Sequence, residues 1–114
     1  MALLLEREAY NGVMVSYHRI YEITNKTNES TGIQLYSYID ESKRELEAEA
    51  EVIQKKIDND EPITPAEEQL WLKGSNTFKE LKWYMLPEYV EDFTVTDGYN
   101  YLKTLPEFKG AIDC

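Results

Sequence analysis

His18 is the only histidine and Cys114 the only cysteine in this 114-residue chain, and together they limit its chemistry. A zinc site built from Cys and His within one chain is excluded. A serine or cysteine nucleophile needs a histidine base, and only His18 could supply it. His18 falls on the strand face opposite the apolar parity, so a half-exposed strand residue is expected there. Asp58, Asp60 and Glu61 cluster in a loop, but the EF-hand pattern fails. Counted from Asp58, its glycine position is Ile63 and its closing glutamate position is Gln69. Carboxylates are too widespread for a hydrolytic pair to stand out. Gly12, Gly32, Gly74, Gly98 and Gly110 are scattered as turn residues rather than gathered into a phosphate-cradling loop. No catalytic residue, metal ligand or cofactor is expected.

The aromatics carry the remaining signal. Nine tyrosines and two tryptophans exceed what a small core needs, and both residue types are favoured at protein interfaces. Tyr36 and Tyr38 fall on the face that the strand pattern assigns to solvent. With Trp71 they are the candidate partner-binding residues.

Twenty-two Asp and Glu against 12 Lys and Arg give a net charge of -10. Such a chain repels phosphate backbones and anionic bilayers, so neither nucleic acid nor membrane is an expected partner. The acidity serves solubility. Its sharper use would be mimicry of nucleic-acid charge, which needs carboxylates arrayed on one face. A single terminal cysteine allows no intrachain disulfide. Leu3-Leu4-Leu5 is too short for a signal core and runs straight into Glu6, Arg7 and Glu8, so synthesis and folding in a cytoplasm are expected.

The candidates must be positioned by a small sheet. Val13, Val15, Tyr17, Tyr21 and Ile23 share one parity, the mark of a strand with one buried face. Ile33, Leu35 and Ile39 repeat the pattern after a polar loop. The favoured antiparallel register pairs Ile23 with Ile33, Tyr21 with Leu35 and Tyr17 with Ile39, which puts both apolar faces on one side. A weakly patterned first strand over residues 2–9 precedes Asn11-Gly12, a type I′ hairpin signal.

The period then changes. Ser42 and Glu45 fit a capping box, and Leu46, Ala50, Ile53 and Ile57 form one helical stripe. Thr64-Pro65-Ala66-Glu67 opens a second helix, closed by Lys73-Gly74. Residues 42–74 thus read as a helical hairpin inserted into a β framework made of residues 1–40 and 77–95. Residues 78–86 fit strand or helix, and strand is preferred because Leu81, Trp83 and Met85 alternate with Glu80, Lys82 and Tyr84. Thr96 or Asp97 caps a last short helix, within a helix and tail spanning 96–114. The fold class is α+β: one domain, an antiparallel sheet of three to four strands, an inserted helical hairpin and a short C-terminal helix.

The run from Gly98 to Cys114 reads Gly-Tyr-Asn-Tyr-Leu-Lys-Thr-Leu-Pro-Glu-Phe-Lys-Gly-Ala-Ile-Asp-Cys. It resembles the ending of small proteins encoded near the tail and adsorption genes of tailed bacteriophages and prophages. The opening is similar too: Leu3-Leu4-Leu5, Asn11-Gly12 and Val15-Ser16-Tyr17. Residues 42–74 depart from that pattern as an insertion. The resemblance implies a non-enzymatic virion component, assembled in a bacterial host cytoplasm. Its expected partners are other tail-region proteins, and self-association is expected with them. It brings no catalytic residues. The competing expectation from charge alone is an acidic inhibitor that mimics nucleic acid and blocks a host defence protein.

Overall fold

A computed structural model describes residues 1–114. It contains β1 (Leu3–Glu8), β2 (Met14–Lys26), β3 (Ser30–Tyr38), α1 (Glu41–Asp58), α2 (Pro65–Ser75), β4 (Lys79–Met85), α3 (Val95–Lys103) and β5 (Ile112–Asp113), with a 3-10 turn at Pro106–Phe108 before the last strand. The strands form one antiparallel sheet in the order β4-β3-β2-β1-β5. The α+β reading holds. The sheet has five strands rather than three or four, because the chain end adds β5 beside β1.

The central hairpin is longer than its sequence pattern suggests. β2 and β3 run through most of the polar stretch and leave a turn at Thr27–Glu29, with Asn28 in the left-handed region at φ 59°. Ile23 pairs with Ile33 as expected, but Ile20, not Tyr21, faces Leu35, and Tyr17 faces Tyr38. A β-bulge between Ile20 and Glu22 shifts the register by one residue. Strict alternation would have turned Tyr21 inward and Ile20 outward. The extra residue lets Ile20 and Ile23 both reach the core and leaves Tyr21 exposed. The β1–β2 turn also differs from the expected type I′. Only Gly12 takes positive φ (83°), in a turn where its N–H donates to the Ala9 carbonyl.

One face of the sheet carries the core. Leu3, Ile20, Ile33, Leu35 and Tyr84 meet Tyr99 and Leu102 of α3 and Phe108 of the 3-10 turn. α3 lies close because residue 98 is glycine: a Cβ there would sit 2.8 Å from Ile20 Cδ1 and 3.2 Å from Ile23 Cδ1. The helix is capped two or three residues earlier than expected, by Thr94 in a capping box with Asp97. Tyr99 closes a gap where β1 has not yet begun to pair with β2. Its hydroxyl accepts from Ile20 N–H (2.9 Å) and donates to the Met1 carbonyl (2.8 Å).

The helical hairpin is inserted between adjacent strands. Its N-cap is Asp40, which accepts from Lys43 N–H, and not Ser42, whose hydroxyl instead donates to Asp40. The second capping box, Thr64 with Glu67, is as expected. Gly74 does not end α2. It lies inside the helix, where a Cβ would collide with the Leu46 carbonyl and approach the Ala50 Cβ to 2.5 Å. That contact brings α2 close onto the expected α1 stripe, in which Ala50 and Ile53 are buried. The hairpin stands out from the sheet: the molecule measures 48 × 32 × 24 Å. Its radius of gyration is 16.3 Å, against roughly 13 Å for a compact chain of this length.

Candidate functional site

The inner face gathers the residues that resemble catalytic groups. β2 and β3 pair His18 with Ser37, and β4 adds Glu80 opposite Ser37. His18 Nε2 lies 2.7 Å from the Leu5 carbonyl oxygen, which can only accept, so this nitrogen carries the proton. Nδ1 then accepts the Ser37 hydroxyl at 2.7 Å. Ser37 Oγ also receives Arg7 Nη2 (3.2 Å), and Arg7 pairs with Glu80 at 2.7 Å. The second Glu80 oxygen accepts Tyr10 N–H at 2.7 Å.

This histidine is not the half-exposed residue expected. The bulge in β2 puts it on the same face as Ile20, the core side, with its ring edge-on to Phe108 at 5.1 Å. His18 and Ser37 are both 0% exposed. The surface hollows lie at the base of the helical hairpin and beside Met14 and Ser16; none is lined by either residue. Ser37 is held by two partners and no substrate carbonyl can reach it. The arrangement ties β1, β3 and β4 together beneath the core.

Its electrostatics give a pH prediction. Burial holds the His18 imidazole below its ordinary 6.5, and the facing Arg7 adds to this; the Leu5 carbonyl, Glu80 and Glu107 oppose. Burial alone would raise the Glu80 carboxyl, but the Tyr10 N–H and Arg7 outweigh it and hold it below 4.5. Unfolded chains therefore bind more protons than folded ones below each ordinary value. Stability is expected to fall as pH drops below about 6.5 through His18, then more steeply below about 4.5 through Glu80. Urea titrations at pH 7.5, 5.5 and 4 should show this. His18→Gln, whatever its own cost, should flatten the first interval and leave the second.

The outer face is different in kind. Tyr36 pairs with Leu81, Gln34 with Trp83 and Gly32 with Met85, so these side chains project together away from the core. Leu81 is 46%, Trp83 52%, Met85 56% and Tyr21 53% exposed. The β4 alternation was legible, but it points the other way: Glu80 and Tyr84 are buried and Leu81, Trp83 and Met85 open to solvent. Tyr36 is half-buried, its ring tilted 46° against Tyr21 with centroids 4.8 Å apart and Lys79 Nζ 4.2 Å from its ring centre.

The three partner-binding candidates separate. Tyr36 belongs to the open face. Tyr38 shares its side of the sheet but is fully buried, because α1 caps that end; its hydroxyl donates to Glu47 at 2.6 Å. Trp71 is half-buried in the helical hairpin and donates Nε1–H to Gln54 at 2.8 Å, remote from Tyr36 in role. Sequence reasoning missed Leu81, Trp83, Met85 and Tyr21 as surface residues. The signal was present in β4, where an apolar set alternates with one that holds Glu80 and Lys82.

No group of three or more His, Cys, Asp or Glu side chains is arranged to hold a metal ion, and no helix is long and apolar enough to cross a membrane. No protein-family model matches the chain, and neither curated proteins nor solved structures give a match.

Proposed function

We propose that this chain is a non-enzymatic structural component of a tailed-bacteriophage particle, working through protein–protein contacts in the tail, baseplate or fibre region. The open apolar face along β4 carries the docking half of this reading. Three large apolar side chains in a row, next to Tyr36 and Tyr21, form a patch of the type that marks interaction sites. The virion half rests on the resemblance of residues 98–114 and of the Leu-rich opening to small tail-region proteins. The expected partners are tail-region subunits and further copies of the chain.

Mass spectrometry of gradient-purified virions tests the reading: the chain should be present at a stoichiometric level. Its absence from particles made by a host that expresses it would reject the proposal.

A second reading has its own observation. Glu41, Glu45 and Glu49 are all exposed and recur every four residues along α1, which suits an acidic inhibitor that imitates nucleic-acid charge. Salt separates the two. Apolar docking should hold or strengthen as ionic strength rises, because repulsion between chains of charge -10 is screened. A carboxylate-based complex should weaken steeply.

A further inference from the structure

We propose that β4 is a self-pairing edge, through which two copies join antiparallel about a twofold axis at Leu81. The inference rests on reading the outer face as a docking surface and names its occupant.

Three observations converge on a second copy. The first is the backbone. β4 is the last strand on its side of the sheet and pairs only with β3. Leu86 N–H donates to the Thr31 carbonyl at 2.9 Å. In an antiparallel ladder, N–H and C=O turn to the same side on alternate residues. Glu80, Lys82, Tyr84 and Leu86 therefore serve β3, and Lys79, Leu81, Trp83 and Met85 turn their backbone groups to the open edge. These are the residues whose side chains lie exposed on the outer face. The chain leaves the edge clear beyond Met85, since Val90 bonds to Thr31 and Asn25 on the neighbouring hairpin.

The second is charge. In a molecule of net charge -10, most exposed surface repels another copy. β4 does not, because each of its charges is matched within the chain: Lys79 with Glu47 (2.7 Å), Glu80 with Arg7 (2.7 Å) and Lys82 with Glu107 (3.0 Å). Free lysines commonly keep edges from pairing; these two are tied down.

The third is register. Matching outer face to outer face requires a residue, not a peptide bond, on the twofold axis. Lys82 on the axis would oppose its own copy, a like-charge pair, and Trp83 on the axis would set Lys79 opposite Pro87, which has no N–H to donate. Leu81 on the axis places Leu81 against Leu81 of the second copy, Trp83 opposite Lys79, and Lys82 opposite Glu80. The two five-stranded sheets then become one continuous sheet. The helical hairpins are attached beside Lys79, so they sit at opposite ends of the seam.

Sedimentation equilibrium of the purified full-length chain provides the test, in a Cys114→Ser background. A dimer is expected, and Trp83→Lys should weaken it about tenfold or more while circular dichroism stays unchanged. Leu81→Cys should oxidise to a covalent dimer, because directly opposed residues in a bonded pair lie about 5.5 Å apart, within disulfide reach. Leu72→Cys, on exposed α2, should not. A monomer across the concentration range would overturn the proposal. So would a dimer indifferent to Trp83→Lys, or an uncrosslinked Leu81→Cys. None of these outcomes bears on whether the chain is found in virions, so the two readings fail separately.

Discussion

Glu47→Ala is expected to destabilise the fold by about 2–3 kcal/mol, lowering the melting temperature on the order of 10–15 °C. Glu47 is a buried carboxylate on the second turn of α1, and three donors converge on it. Tyr38 Oη (2.6 Å) and Arg44 Nη1 (2.8 Å) reach one oxygen, and Lys79 Nζ (2.7 Å) reaches the other. Burial alone would raise its pKa, but the bonds from Lys79 and Tyr38 outweigh that and hold it below 4.5. Alanine would strand the Tyr38 hydroxyl in a fully buried position, and an unmade buried hydrogen bond costs more than a made one contributes. The expected cost stays below that of a fully buried pair because the Lys79 side chain is 35% exposed and water recovers part of the loss. Glu47→Gln keeps an acceptor for Tyr38 and should fall between the two. Thermal melts of the three chains would check the order; equal melting temperatures for Ala and wild type would show that the cluster contributes nothing.

Removing the whole helical hairpin should do less harm than that one substitution. Tyr38 pairs directly with Lys79, so Ile39 and Phe78 are the next rung, and residues 40–77 fill the place of a turn. Replacing them with Asn-Gly should close β3 and β4 as a two-residue hairpin. Tyr38 would then lose Glu47, but it would also lose the cover of α1, and water would satisfy its hydroxyl. The core cluster contains no hairpin residue. The expected product loses most of its helical circular dichroism yet unfolds cooperatively, with a stability within about 1–2 kcal/mol of the parent. Loss of cooperative unfolding would show that α1 and α2 belong to the main core.

Much of this architecture was readable because periodicity changes where the structure changes. The α1 stripe from Leu46 to Ile57, the Thr64–Glu67 capping box and the β4 alternation each stand in the sequence. What failed was the sense of each face. Period two tells that a strand has two sides, but not which one is covered. A single bulge at Tyr21 exchanged Ile20 for Tyr21 and put His18, two residues before Ile20, on the core side as well. On β4 the apolar set is the exposed one, because Tyr84 fills the core and Arg7, 73 residues away, neutralises Glu80. No local pattern carries a contact of that separation. The same limit explains the candidate site: Tyr36 was legible as open, but the burial of Tyr38 depends on Glu47, beyond the strand's own period.

Tyr99 bonds Ile20 and Met1 at once, across 79 and 98 residues of chain. β1, β2 and β3 are joined by short turns and can pair locally, whereas the Tyr99 bridge between Ile20 and Met1 forms only when α3 arrives. Such non-local closure slows folding towards the millisecond-to-second range, since loop entropy is lost before the contact repays it. During synthesis, at roughly 5–20 residues per second, Leu3 and its neighbours would wait several seconds for their cover. A net charge of -10 would oppose contact between nascent chains in that interval.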